Sequence, residues 1–200
     1  MISYVICGPS RATCPSSNRK EAMREIITVP GIGGSGETHW QSRWETADRR
    51  IRRFSPSSWD QPDLEDWIEA LDRAVGQAQA EPLLVAHSLS CLLVAHWARR
   101  ARHRASGALL VAPPDPRAAA YPPEAAGFAE TPLGALPFPS LVVASSDDPY
   151  GSLDYARARA DEWGSQFTNI GAHGHINGAS GLGDWPEGRA ALAALEVRLR

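Results

Sequence analysis

From residue 25 onward, short apolar runs alternate with stretches in which apolar residues recur every three or four positions. An apolar run closed by Gly, Pro, Ser or Asp reads as a buried strand, and the three-to-four spacing reads as one face of a helix. Strands are expected at 25–29, 51–54, 83–86, 108–111, 141–145 and 167–170, and helices near 38–47, 64–80, 89–102, 152–163 and 186–199. In the second helix Leu64, Trp67, Ile68, Leu71 and Val75 share one face, and Asp63 stands where an N-cap belongs. Such alternation predicts an α/β fold: a mostly parallel sheet of about six strands flanked by helices. The stretch 113–139 is rich in Pro and Ala but carries Tyr121, Phe128, Leu133, Leu136 and Phe138. It is too apolar for a linker and suits either a small cap over a pocket or a surface crossover whose aromatics plug the core edge.

The pattern changes most abruptly within Leu83-Leu84-Val85-Ala86-His87-Ser88-Leu89-Ser90-Cys91-Leu92-Leu93, where a strand gives way to a helix at one serine. A serine on such a bend is pushed out at the carboxyl edge of the sheet, with the next N–H and the helix dipole placed to hold an oxyanion. The bend requires small residues two positions either side, here Ala86 and Ser90. Small-x-Ser-x-small also arises by chance in an Ala-rich chain, so the serine needs company.

Serine is a weak nucleophile and needs a base within reach and an acid to fix the base's tautomer. Downstream, the strand ending at Ser145 runs into Ser146-Asp147-Asp148-Pro149, and the last strand runs into Gly171-Ala172-His173-Gly174-His175. Ser, Asp and His, each just past a strand, can meet because the carboxyl ends of a parallel sheet open on one edge. Asp148 is preferred because Pro149 gives it a rigid turn, and Asp147 then supports the loop. His175 follows Gly174 in a loop able to bend towards Ser88, so it is preferred to His173. His87, a strand neighbour of Ser88, is read as a packing or hydrogen-bonding residue.

The loop Gly31-Ile32-Gly33-Gly34-Ser35-Gly36 follows the first strand and literally contains G-x-G-x-x-G. With Arg52 and Arg53 near a ribose 2′-phosphate it offers a rival NADP-binding oxidoreductase reading. In the hydrolytic reading the same glycines let the N–H of Ile32 join that of Leu89 in an oxyanion hole. The hydrolytic reading accounts for the loop, Ser88, Asp148 and His175 together, whereas the dinucleotide reading accounts for the loop alone. A zinc site at His173 and His175 with Asp147, Asp148 or His39 ranks third, because the spacing lacks helical support and Cys or Glu partners. A catalytically silent α/β interaction module remains the remaining alternative.

The chain has 200 residues and a net charge of −3, enough for one domain with a sizeable core and without the basic excess of a nucleic-acid or anionic-membrane binder. Cys7, Cys14 and Cys91 form no disulfide framework, and the start of the chain lacks a basic leader, so a cytoplasmic protein is expected. Residues 1–22 show no periodicity and are expected to be a disordered extension, with 23–200 as the single domain.

Taken together, Val29-Pro30-Gly31-Ile32-Gly33-Gly34, Ala86-His87-Ser88-Leu89-Ser90-Cys91, Ser146-Asp147-Asp148-Pro149-Tyr150 and Gly174-His175-Ile176-Asn177 resemble the small serine hydrolases typified by retinoblastoma-binding protein nine and bacterial YdeN. Thr38-His39-Trp40-Gln41 and Ser180-Gly181-Leu182-Gly183-Asp184-Trp185-Pro186 extend the resemblance towards the carboxyl end. It implies a compact α/β-hydrolase with a reduced sheet, little or no lid, and a triad at Ser88, Asp148 and His175. The family elbow often has Gly where this chain has Ala86 and Ser90, and Ser90 is expected to crowd the bend slightly. A pocket-protein partner is not expected, because Leu89-Ser90-Cys91-Leu92-Leu93 lacks the Glu of L-x-C-x-E. The expected chemistry is hydrolysis of a small acyl substrate, an ester or an amide, through an acyl-enzyme on Ser88, without a cofactor or metal. Trp40, Trp59 and Trp185 are candidates for the pocket lining.

Overall fold

Strand residues alternate between two apolar environments, and that alternation makes the sheet the middle of three layers. A computed structural model describes residues 24–199, so the expected extension 1–22, with Cys7 and Cys14, lies outside the described residues. The strands are β1 (Ile26–Val29), β2 (Ile51–Arg53), β3 (Leu83–His87), β4 (Gly107–Val111), β5 (Ser140–Ala144) and β6 (Gln166–Asn169). They pair in the order β2-β1-β3-β4-β5-β6, every pair parallel. The helices are α1 (Trp40–Ala47), α2 (Leu64–Gly76), α3 (Leu89–Arg100), α4 (Leu153–Trp163) and α5 (Pro186–Arg198).

Ile27, Val29, Leu84, Ala86, Leu110 and Val142 face one core, where Trp67, Leu71, Leu92, Trp97 and Trp163 of α2, α3 and α4 cover them. Their strand neighbours Ile26, Leu83, Val85, Leu109, Val111 and Val143 face the other, under Trp40 and Trp44 of α1 and Leu192 and Leu195 of α5. β3 and β4 are buried on both faces, as a central parallel strand must be, whereas β6 is an edge strand with mostly exposed side chains.

The expected elements are present, with ends that local bonding shifts. α1 starts at Trp40 because His39, not Thr38, caps it. Asp63 does cap α2, its carboxylate accepting the N–H of Asp66 at 2.8 Å. That helix stops at Gly76, short of 80, and α3 stops at Arg100, after which the N–H groups of Arg102 and His103 turn to the buried Asp72. The stretch 113–139 forms no strand; a 3-10 turn over Pro123–Phe128 packs on α3 with Phe128 fully buried. No helix among the described residues is long and apolar enough to cross a membrane.

Because β1 connects outward to β2 while β3 lies on its other side, the loops after β1 and β3 diverge and leave a crevice at their carboxyl ends. The candidate site lies there.

Candidate active site

At the end of β3 the backbone folds back at Ser88, with φ 57° and ψ −129°, a conformation that costs a non-glycine residue about 1–3 kcal/mol. The bend is held by the N–H of Ser88 bonded to the Val111 carbonyl and by that of Cys91 bonded to the Ser88 carbonyl. Strain is concentrated on this edge: Ser35, Ala112 and Ile176, in the loops after β1, β4 and β6, also have φ near +50°. A rim whose irregular backbone is over-determined by its neighbours is a frequent mark of a functional site.

The Ser88 Oγ lies 2.7 Å from Nε2 of His175, and Nδ1 of the same ring lies 2.9 and 2.8 Å from the two carboxylate oxygens of Asp148. A carboxylate can only accept, so Nδ1 carries the proton and Nε2 is left to accept from the serine hydroxyl. The Asp148 and His175 side chains are 3% and 9% exposed, so the pair is shielded from competing water. Asp148 also accepts the N–H of Tyr150, whose ring packs 4.4 Å from that of His175.

Asp147 is exposed and turns the other way. Its carboxylate accepts from the Ser145 hydroxyl and the Gly174 N–H, bonds that hold it below the usual carboxylate range. Ser145 in turn accepts the N–H of His173, whose side chain is exposed. Asp147 and the backbone of His173 therefore shape the loop that presents His175.

Two further side chains pin that loop: His87, expected as a packing or hydrogen-bonding residue, and Trp40, expected in the pocket lining. His87 donates from Nε2 to the His175 carbonyl at 2.9 Å, and the Trp40 indole donates to the Ile176 carbonyl at 2.8 Å. Burial pushes the His87 pKa well below its ordinary value, aided by His175 and His39, so the ring is neutral. Trp40 and Trp185 are buried in the core beneath, and Trp59 packs on the loop after β1, where a Cβ on Gly34 would lie 2.9 Å from its indole. None of the three lines the cavity, which corrects the expectation.

The glycine loop after β1 closes against the bend. A Cβ on Gly31 would come within 3.0 Å of Ser88 Cβ and 3.1 Å of the His87 carbonyl, so any larger residue would push loop and bend apart by a few tenths of an ångström. No backbone hydrogen bond among the described residues engages the N–H of Ile32 or of Leu89. Ser90, expected to crowd the bend, instead donates its hydroxyl to the Pro30 carbonyl at 2.6 Å and ties loop and elbow together. Arg53 is held by both oxygens of Glu45 and by the carbonyls of Gly34 and Ser35, and Arg52 pairs with Glu25. Both arginines are engaged by protein acceptors, which weakens the NADP reading.

Ser88 opens into a cavity of about 380 Å³. Residues Ile32, Leu89, Pro114, Tyr121 and Pro122 contribute to its wall, so the stretch 113–139 forms one side of the cavity as well as plugging the core. Among the described residues no set of three or more His, Cys, Asp or Glu is arranged to hold a metal ion. Cys91 is fully buried, and its thiol is pushed up in pKa by that burial.

The pattern of the family described as serine hydrolase matches residues 26–194. A putative YdeN-like hydrolase from Pectobacterium atrosepticum is similar at 30% identity and a TM-score of 0.78, over 88% of this chain and 91% of that one. The ydeN product of Bacillus subtilis is similar at 19% identity and a TM-score of 0.70, over 87% and 99%. A thermophilic esterase from Thermogutta terrifontis shares the fold at 18% identity and a TM-score of 0.61, over 86% and 89%. No curated protein sequence matches the chain.

Proposed function

Because the chain belongs to the serine hydrolase family, with an α/β-hydrolase fold, we propose that it cleaves a small ester, or an amide, through an acyl-enzyme on Ser88. The observation that carries this reading is the 2.7 Å contact between the serine hydroxyl and His175, with Asp148 on the far nitrogen of the ring.

As Ser88 attacks the acyl carbonyl, its proton passes to Nε2 of His175, and Asp148 stabilises the imidazolium that forms. The substrate carbonyl oxygen takes the negative charge and receives the N–H groups of Ile32 and Leu89; losing one such donor typically costs about 2.7–4 kcal/mol of barrier. Collapse breaks the bond to the leaving group, which departs with the proton from His175. Water then enters, gives its proton to His175 and attacks the acyl-serine, and the acid leaves as the proton returns to Ser88. Each step uses groups of the chain itself.

Labelling with a fluorophosphonate, read by intact mass, tests the proposal. One adduct on Ser88 of the wild type and none on S88A is expected, alongside turnover of 4-nitrophenyl acetate by the wild type alone. Equal labelling of both proteins, or labelling of neither, overturns it.

A further inference from the structure

Beside the polar part of the cavity lies a buried hydrogen-bond donor that the chemistry above does not use. His39 borders the cavity, is 4% exposed, and its Nε2 has no protein partner among the described residues. Its Nδ1 accepts the N–H of Gln41 as the cap of α1, at 3.2 Å. An imidazole that accepts at Nδ1 is neutral only with its proton on Nε2, so the unpartnered atom is a donor. Burial, with Arg53 and His175 nearby, lowers the His39 pKa to about 4, so this neutral tautomer is the form present at neutral pH.

A buried donor without an acceptor costs about 1–3 kcal/mol, and native structures rarely leave one unless something arrives to satisfy it. The surroundings say what kind of group that is. The His39 ring stands 4.7 Å from that of His87, which stands 5.0 Å from that of His175, so the ring ends a row that leads to the serine's base. Ser35, Gly36, Asn177 and Gly178 border the cavity beside it, and a Cβ on Gly178 would lie 2.8 Å from Thr38 Oγ1 and 3.6 Å from the backbone nitrogen of His39. That wall is therefore polar and close-packed, whereas Leu89, Pro114, Tyr121, Pro122 and Ala125 supply an apolar one. No Lys, Arg, Asp or Glu contributes to either wall.

We propose that Nε2–H of His39 is a substrate-binding donor, and that the substrate is an uncharged ester or amide carrying a second acceptor oxygen beside an apolar portion. A hydroxyl, ether or carbonyl oxygen displaced from the reacting carbonyl accepts from His39, while the apolar portion lies against the wall formed by residues 114–125. This inference rests on the acyl-transfer reading of Ser88. It assigns His39 to recognition and not to proton transfer.

Two ester pairs of matched shape test it: 2-methoxyethyl acetate against n-butyl acetate, and 4-nitrophenyl methoxyacetate against 4-nitrophenyl butyrate. In each pair the first has an ether oxygen where the second has a methylene. The variants H39N and H39Q separate the two jobs of the ring, because an Asn amide can replace Nδ1 at the helix cap while a Gln amide reaches the position of Nε2. In one of the pairs, kcat/KM for the oxygenated ester relative to its partner should fall about tenfold in H39N, chiefly through KM, and recover in H39Q. Equal relative rates in all three proteins overturn the proposal. So does selectivity kept in H39N and lost in H39Q, which assigns His39 to the cap alone. Fluorophosphonate labelling of Ser88 without any dependence of selectivity on His39 removes this subsite and leaves the acyl-transfer reading intact; absence of labelling removes both.

Discussion

Asp148 and Asp72 are both carboxylates with side chains 3% exposed, and each is bonded to a histidine. One pair stands at the carboxyl rim of the sheet; the other stands between α2 and the end of α3. Asp72 is saturated: it accepts from the Trp97 indole, from the N–H groups of Arg102 and His103, and from the side chains of both. Burial alone would push its carboxyl up, but these bonds outweigh that and hold it below the usual range. Its partner His103 is 47% exposed, and its ring lies over Gly76, where a Cβ would come within 2.6 Å. That cluster ties two helices together. Asp148 accepts from His175 and from one backbone N–H, and the imidazole's other nitrogen is spent on a hydroxyl held in a strained bend over a cavity. A carboxylate-imidazole pair becomes a candidate for chemistry only where its second nitrogen has something reactive to address.

Exchanging each aspartate for asparagine should separate the two roles. In D148N the amide favours the tautomer with its proton on Nε2, the nitrogen that must accept from Ser88, so kcat on 4-nitrophenyl acetate should fall about 10³–10⁴-fold. The thermal midpoint should move little. D72N should do the converse, losing about 1–3 kcal/mol of unfolding free energy in urea as the bonds around it weaken. Its labelling rate per folded molecule should stay at the wild-type value. A kinetic collapse in D72N, or a purely structural one in D148N, would erase the distinction.

The same contrast shows which parts of the chain could be read from sequence. Ser88, Asp148 and His175 were legible because strand periodicity locates the sheet edge, and an edge collects residues that the sequence separates. A mostly parallel sheet was expected from the same pattern, and every strand pair in it is parallel. The tryptophans misled, because an indole's sequence context does not say whether it is a wall or a foundation; Trp40 is a foundation, and its N–H fixes Ile176. Ser90 and Arg53 misled for another reason. Each is defined by a carbonyl on a loop distant in sequence, Pro30 for one and Gly34 for the other, and no periodicity encodes such a contact. The saturation of Asp72 was invisible on the same grounds, since its donors come from beyond a helix end.

Acid should unfold the two regions in different windows. His39 has a folded pKa of about 4 against an ordinary 6.5, and His87 is shifted the same way by burial. Between pH 6.5 and 4 the unfolded chain therefore binds protons that the folded chain refuses, and stability present above that window is lost as pH falls through it. The His39 share is on the order of 2–3 kcal/mol. Asp72, with its folded pKa depressed, contributes stability that is present above the ordinary carboxylate pKa and lost below it. Urea titrations from pH 7 to 3 should thus show a first loss that H39Q reduces and a second that D72N reduces. A single loss confined below pH 4 would contradict the assignment of neutral imidazoles to the site.

The smallest expected effect concerns the tie between loop and elbow. Ser90 is fully buried and its hydroxyl donates to the Pro30 carbonyl, one residue before the glycine that closes on Ser88. S90A removes the donor with little change in volume, so it should cost about 1 kcal/mol of stability. It should also lower kcat by roughly tenfold or less, because the Ile32 N–H is loosened and not removed. S90G is the informative partner. If the serine side chain crowds the bend, glycine should speed turnover above wild type; if the hydroxyl positions the loop, glycine should be as slow as alanine and less stable, since it also frees the unfolded chain. Single-turnover acylation rates for the three proteins decide between these, and the 2.6 Å contact favours the second.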